Sequence, residues 1–496
     1  MKSSNQSTVR YARWARAAMW VSAVAVILAC IIRYLYAPSF WLDEAVIAGS
    51  LRDPSLHSIF SRLGRGEYFP RVYLLGIGAL REILGYKIWV LRLVPSLSFI
   101  VGTVLWARLL GKRSAGSLQA GLLGAALLVG SVFWLNQAIQ LKQYSLDVML
   151  ALAPFLLDDD LFRDAVADGR HRLKLVMLAL PCFLSYTYPM ALGARAVGWY
   201  LHHGRRHSFR AHWSGVCAIL IPLALGVTSF LAIDYRQGAD LTHYWNHCIL
   251  RSRLLQAPGS APLLVGDFFW GWHLGRLMPL VIAVIAPLQA LGAFEVVKRW
   301  RRGEGDSGNQ SWGSRSLGSL VLLVGVILAS LLVNYPICAG RLVLFTQVHT
   351  QILAVEGALF ILGYWKTRKI APLLLYVCIA VVAAYSGHRY VKFIREEPSE
   401  NIRPMLPLIK PEVANIVWVH PCSVAQVKSL PEPLPVTKVM LKTKTRLPQP
   451  GQKVWILWTH MTDEHCQRRL AEVRGKALSW QVIHQGPDRG LALAEF

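Results

Sequence analysis

Two adjacent carboxylates, Asp43 and Glu44, follow the first long apolar stretch of the chain, in the segment Phe40-Trp41-Leu42-Asp43-Glu44-Ala45. Ionised groups at a membrane boundary are costly to hold without a function or a partner. The pair therefore either sits in water just above the headgroups or serves chemistry there. The segment that follows carries Arg52, Arg62, Arg65, Arg71, Arg81 and Arg92. Arginine's planar fork matches the oxygens of phosphate. A carboxylate facing guanidinium groups at a membrane surface suits a reaction on a lipid-linked phosphate.

Other constellations are less specific. His243 and His247 have the i, i+4 spacing of a helical metal pair, but no nearby carboxylate completes a ligand set, so a plain loop is preferred. Asp158-Asp159-Asp160 has the pattern of a nucleotide-sugar metal motif, yet the soluble nucleotide-binding fold such a motif needs is missing from the sequence. His202, His203 and His207 stand among arginines and read as headgroup contacts. Cys30, Cys182, Cys217 and Cys378 lie in apolar segments and read as packing residues. Cys422 and Cys466 fall near the C-terminus and would be able to pair in an oxidising compartment.

The elements that must position Asp43 and Glu44 are set by hydropathy. Of 496 residues, 54% are hydrophobic and only 16% charged, which argues against a set of soluble domains. Apolar stretches long enough to cross a hydrocarbon core recur along the chain. The net charge of +25 raises the question of nucleic-acid binding. That would need a basic stripe on a soluble face, whereas many of these charges cluster at the ends of apolar segments, where they fix membrane orientation. No nucleic-acid partner is expected. Arg10, Arg13 and Arg16 before the run Ala17 to Ile32 imitate a signal peptide, but no cleavage pattern follows and the run is read as a retained first span.

Basic clusters at Arg108-Lys112-Arg113, Arg170-Arg172-Lys174, Arg205-Arg206-Arg210, Lys298-Arg299-Arg301-Arg302 and Lys366-Arg368-Lys369 are assigned to the cytoplasm together with the N-terminus. The predicted spans are 17–36, 88–110, 118–136, 144–158, 174–191, 193–203, 215–233, 277–298, 318–335, 343–364 and 370–387. This gives about eleven crossings of a multi-pass inner (plasma) membrane protein, with the C-terminal domain extracytoplasmic. A long first outer loop, 37–87, contains a short apolar stretch from Val72 to Ala79 that suits an interfacial helix. Other outer segments are 136–145, 234–276 and 334–341. Gly303 to Ser316 reads as a flexible cytoplasmic linker.

The tail beyond residue 388 reads as a small α/β domain. Strands are predicted at Asn415–His420, Lys453–His460, Ser479–His484 and Gly490–Phe496, with an amphipathic helix from Asp463 to Ala477.

Taken in order, several short elements resemble the GT-C superfamily of polyprenyl-phosphate-sugar-dependent glycosyltransferases, and within it the bacterial relatives of the protein O-mannosyltransferase and aminoarabinose transferase group. These elements are Trp41-Leu42-Asp43-Glu44, Tyr68-Phe69-Pro70-Arg71-Val72-Tyr73, Leu91-Arg92-Leu93-Val94-Pro95-Ser96-Leu97, Leu141-Lys142-Gln143-Tyr144-Ser145-Leu146-Asp147, Tyr335-Pro336 and Gly340-Arg341-Leu342. The resemblance covers most of the chain. The sequence departs from the pattern at Phe69-Pro70-Arg71, where relatives carry His or Lys before a Pro pair, and Arg71 is the candidate for the displaced cation.

The resemblance implies a multi-span α-helical GT-C domain over 1–387, with a catalytic first outer loop, and an extracytoplasmic α/β domain over 388–496. It implies a catalytic Asp in that loop, matched by Asp43. Glu44 reads as a helper that positions a neighbouring basic group. The donor would be a polyprenyl-phosphate sugar and the acceptor a hydroxyl of a glycan, lipid or protein. The transferred unit would be a hexose or pentose. A lipid phosphate leaves as a stable anion, so one base is sufficient, unlike the two carboxyl groups usual in glycoside hydrolysis. Arg71, Arg92, Lys142, Tyr144 and Arg341 are the candidates to hold the donor phosphate. Each has a plainer reading: Arg92 as an interfacial anchor, Lys142 as a snorkelling side chain, Arg341 as the flank of its helix. No metal site is assigned and no cofactor other than the donor is implied, a divalent metal being left open. The alternative is a lipid-linked-sugar flippase or other transporter, which would place its polar groups near the membrane midplane.

Overall fold

The structure is a computed structural model. It describes residues 2–496 apart from 54, 62, 64–68, 115–116, 162–168, 204–219, 221–223, 229–230, 233–245, 271–277, 304–309, 338–340, 365–369, 397–400, 421–422, 437, 441–447, 460–463 and 487. The chain forms two compact units, each built from separate stretches of sequence. The first comprises Met1–Arg33, Gly66–Leu74 and Val94–Ile394, and the second Tyr34–Arg65, Leu75–Leu93 and Arg395–Phe496.

Among the described residues, six helices are long and apolar enough to cross a membrane: Tyr11–Tyr36, Leu93–Arg113, Pro279–Arg302, Trp312–Leu332, Leu342–Tyr364 and Ile370–Arg395. A seventh is formed if Leu118–Val129 and Val132–Ala138, bent by 44° at their junction, cross as one. The expected count of about eleven is not reached among the described residues. The stretch expected at 144–158 is the 13-residue helix Tyr144–Leu156. The two spans expected between 174 and 203 are divided differently, into Gly169–Ala179, a 3-10 turn at Leu180–Phe183, and Tyr188–His203. None of these reaches the ~20 residues that cover a hydrocarbon core at 1.5 Å rise per residue. Most of 215–233 lies outside the described residues.

Small residues let helices of the first unit approach closely. A Cβ at Gly198 would strike the backbone of Gly318, and Cβ atoms at Gly292 and Gly357 would strike Leu353 and Leu288 of the facing helices. In an apolar surrounding, such backbone approach supplies packing that a hydrophobic driving force does not. The linker expected over 303–316 is only partly a linker, because a helix runs from Gln310 to Leu332. Its start is fixed by polar contacts: Ser314 donates to both carboxylate oxygens of Asp159 at 2.9 Å, and Ser316 donates to Glu356 at 2.7 Å. Fully buried Glu356 also takes a two-pronged ion pair from Arg113, both bonds at 2.6 Å, so the inward carboxylate is offset rather than isolated.

The second unit contains a five-stranded sheet in the order β2-β1-β3-β5-β4, with β1 Ile416–Val419, β2 Lys438–Met440, β3 Lys453–Thr459, β4 Ser479–Gln485 and β5 Arg489–Glu495. β1 pairs in parallel with β2 and β3, while β5 lies antiparallel between β3 and β4. The four predicted strands and the helix at Glu464–Lys476 are present; β2 and the five-residue helix Val424–Lys428 are additional. Val417, Val419, Trp455 and Leu457 point to one core of this sheet, and Trp418, Val454, Ile456 and Trp458 to the other, as the two-residue period of a strand requires.

Candidate active site

Asp43 and Glu44 stand in the first turn of the helix Leu42–Ser50, in the second unit. Acidic residues suit a helix N-terminus because its first N–H groups lack intrahelical partners and its dipole is positive there. Glu44 closes the turn, its Oε2 accepting from the Trp41 backbone N–H at 3.2 Å, the backward half of a capping box. Asp43, one residue earlier, is half-buried.

The two carboxylates have different surroundings. Glu44 is 1% exposed and meets Arg92, itself 3% exposed, in a bidentate pair: Nε to Oε1 at 3.0 Å and Nη2 to Oε2 at 2.7 Å. Arg92 also donates from Nη1 to the Pro38 carbonyl at 2.6 Å and from Nη2 to the Ser39 carbonyl at 3.2 Å, and its guanidinium lies 5.1 Å from the centre of the Phe40 ring. Arg92 is a candidate to hold donor phosphate, and in the structure all three of its nitrogens engage Glu44 and the turn that leads into the helix. Arg92 can adopt this inward position because it is the non-helical residue between Ile88–Leu91 and Leu93–Arg113.

The C-terminal segment braces the same turn. Asn401 accepts from the Ser39 N–H at 2.8 Å, Ser39 Oγ accepts from the Ile402 N–H at 2.9 Å, and Gln426 donates to the Phe40 carbonyl at 3.2 Å. At the far end of the Leu42–Ser50 helix, the Tyr86 hydroxyl lies 3.1 Å from the carbonyls of both Ala48 and Ser429, and Arg52 donates to the Lys428 carbonyl at 2.6 Å. Burial pushes the Tyr86 hydroxyl up to about 12, while the Arg52 and Arg81 charges pull the other way, so it stays a donor at neutral pH. Ala37 adopts a left-handed φ of 43° where the first helix ends, ahead of Pro38. Arg403 holds its carbonyl at 2.6 Å. The contacts from the C-terminal segment have no local signal in the sequence, because their partners lie more than 300 residues away.

The remaining candidates belong to the first unit. Arg71 is buried at the start of the helix Arg71–Leu84, which contains the predicted interfacial stretch. Lys142 is fully buried in a tight turn, its N–H bonded to the Gln140 carbonyl at 2.8 Å, just before the helix Tyr144–Leu156. Its ammonium lies 5.5 Å from the Phe69 ring centre, and Tyr73 donates to its carbonyl at 3.2 Å. Tyr186 donates to the Phe69 carbonyl at 2.9 Å. The structure thus brings Phe69, Tyr73 and Lys142 together, with Tyr144 buried two residues on. Arg341 begins the 3-10 turn Arg341–Thr346.

The first unit adds a group the sequence reading passed over. Asp147, in the first turn after Tyr144, is buried and accepts from Ser185, which is 3.2 Å from Thr187. A carboxylate three residues beyond a tyrosine, in otherwise apolar surroundings, was the available signal.

The weaker constellations resolve into structural contacts. Asp159 is held by Arg195 and Ser314, with His203 at 3.7 Å, and Asp158 pairs with Arg315 at 3.2 Å. These carboxylates face cations already in place, and among the described residues no group of three His, Cys, Asp or Glu side chains is disposed to hold a metal. His203 stacks on Trp199. His243 lies outside the described residues. Cys466 is disulfide-bonded, as is Cys248; Cys30, Cys182 and Cys378 are free. Cys422 is outside the described residues.

No family model matches the chain, and no curated protein matches its sequence. Among the solved structures similar to the chain are two of one protein. One is ArnT from Cupriavidus metallidurans bound to undecaprenyl phosphate, with a TM-score of 0.46 and 14% identity over 95% of this chain and 97% of that one. The other is the same protein in the apo state, with a TM-score of 0.48 and 15% identity over the same shares. Likeness at this level assigns neither substrate nor acceptor.

Proposed function

We propose that this chain is an inverting glycosyltransferase that moves a sugar from a polyprenyl-phosphate donor to an acceptor hydroxyl at the outer face of the membrane. The observation that carries this reading is the division of labour in the Asp43-Glu44 pair. Glu44 is engaged with Arg92 and the helix cap, which suits it to position a neighbouring basic group, and the base is assigned to Asp43 beside it. One base is what this chemistry requires. Asp43 takes the proton as the acceptor oxygen bonds to the anomeric carbon, the bond from that carbon to the phosphate oxygen breaks, and the lipid phosphate departs with the electron pair. Displacement from the opposite side inverts the anomeric centre. Lys142, Arg71, Tyr144 and Arg341 are the residues proposed to hold the donor phosphate, with fully buried Lys142 foremost, because a cation in a dry setting acts strongly on developing negative charge.

The disulfides support the proposed orientation. Disulfides persist in oxidising compartments. Among the described residues, disulfide-bonded Cys248 and Cys466 fall in segments assigned to the outer side, whereas free Cys30, Cys182 and Cys378 fall in predicted spans.

The deciding experiment incubates purified protein with a panel of polyprenyl-phosphate sugars and candidate acceptors, and follows loss of sugar from the donor. Asp43→Asn is expected to lower transfer by about 10²–10⁴-fold without loss of folded protein. Near-normal transfer by this variant would overturn the assignment. Translocation of intact donor across vesicles, with its sugar retained, would favour the flippase.

A further inference from the structure

A second site lies among basic helix ends of the first unit. The start of the first span, the end of Leu93–Arg113 and the start of Trp312–Leu332 enclose a pocket of about 380 Å³. Arg16, Arg108, Lys112 and Arg315 line it, against a single carboxylate, Asp158. Asp158 is already paired with Arg315 at 3.2 Å, while Arg16, Arg108 and Lys112 make no ion pair among the described residues. Three exposed cations converging on one hollow repel each other unless an anion enters it.

Arg315 shows what kind of anion fits. It is 3% exposed, held by Asp158 and by the Leu157 carbonyl at 3.0 Å, with its guanidinium 5.2 Å from the centre of the buried Trp312 ring. Its Nε–H is buried and has no hydrogen-bond partner among the described residues. A buried donor left unsatisfied carries a desolvation penalty. A pre-oriented guanidinium beside three exposed cations is a phosphate-binding arrangement.

The first span indicates where the phosphate comes from. Arg16, Trp20, Val24 and Leu28 recur every four residues and so share one helix face. Below the cation, this face is apolar and outward: Trp20 is 44% exposed, Val24 53% and Leu28 53%. A cation, an indole and then aliphatic side chains match the headgroup, interface and hydrocarbon layers of a leaflet. We propose that this pocket seats the phosphate of an anionic phospholipid, whose chains lie along the Trp20–Val24–Leu28 face. By the distribution of basic clusters the lipid belongs to the cytoplasmic leaflet. The site is separate from the transfer reaction and does not depend on it.

The test uses the full-length protein, delipidated in detergent, and measures binding by native mass spectrometry and thermal stabilisation. The probes are phosphatidylglycerol, phosphatidylcholine, glycerol 3-phosphate and inorganic phosphate. The wild type is expected to retain one phosphatidylglycerol in preference to phosphatidylcholine. Arg108→Gln with Lys112→Gln, both exposed positions, should weaken this by about 30-fold, at roughly a factor of five per basic residue near an anionic surface. Arg301→Gln with Arg302→Gln removes the same charge from another helix end and should leave it unchanged; Arg16→Gln alone is the milder variant if the double one is poorly folded. Equal retention by wild type and pocket variants, or equal binding of the zwitterionic lipid, would overturn the proposal. Equal stabilisation by the two water-soluble phosphates would show a soluble-anion site and would also overturn the lipid assignment.

Discussion

Glu44 and Arg92 form a buried two-pronged ion pair, with N···O distances of 3.0 and 2.7 Å, that ties the first turn of one helix to the break before another. The pair accounts for both charges. It also sets the position of Asp43, since Glu44 is the next residue and Arg92 holds the carbonyls of Pro38 and Ser39 just before it.

Breaking this pair on one side leaves the other charge buried. Glu44→Leu or Arg92→Met is therefore expected to cost about 3–5 kcal/mol, while the double variant recovers much of that loss. Thermal unfolding of the three proteins in one detergent measures this. If Arg92 serves donor phosphate instead of Glu44, Glu44→Leu will leave stability near wild type and the double-mutant cycle will show no coupling.

Much of this was legible in the sequence. The carboxylate pair, the membrane class, four strands and the helix at Glu464–Lys476 follow from hydropathy, period and turn residues. The commitment of Arg92 was not legible, because an arginine beside an apolar segment looks the same whether it faces lipid, phosphate or Glu44. Nor was the bracing of residues 37–50 by Asn401, Gln426 and Ser429, since local propensity carries no information about partners so distant along the chain. Hydropathy alone reads 144–158 and 174–203 as spans, whereas the helices there, Tyr144–Leu156 and Tyr188–His203, are shorter, and a hydropathy window averages away the polar Ser185–Thr187 corner.

Lys142 tests the phosphate-holding half of the proposal. Methionine is close to it in length and carries no charge. Lys142→Met is expected to lower transfer by about 10²–10³-fold, with circular dichroism checking that the variant is folded. If the lysine only fills space beside Phe69, steady-state kinetics of the methionine variant will match wild type.

Tyr86 tests the brace at the end of the Leu42–Ser50 helix. Its hydroxyl reaches the Ala48 and Ser429 carbonyls, so Tyr86→Phe should cost about 0.5–1.5 kcal/mol. The pH dependence has a defined sign. The folded value, about 12, is raised above the ordinary value of 10, so the contribution is present below pH 10 and is lost as pH rises towards 12. The difference in unfolding free energy between wild type and Tyr86→Phe should be flat through neutrality and shrink above pH 10. A difference that grows with alkalinity would contradict this placement.

Cys248 and Cys466 test the sidedness on which the transfer reaction depends. Both are bonded, so a thiol-reactive polymer should add no mass at either until the protein is reduced. Because disulfides are kept in oxidising compartments, a membrane-impermeant reductant and label applied to intact spheroplasts should reach Cys466 from outside. Labelling only after the cells are opened would put the C-terminal sheet in the cytoplasm. It would also place Asp43 on the wrong side for an outer-leaflet donor, since both belong to one compact unit. Reduction should further lower the melting temperature, by the loss of about 2–4 kcal/mol that a native cross-link typically contributes. Cys466→Ser should reproduce that shift and be insensitive to further reductant at its own site.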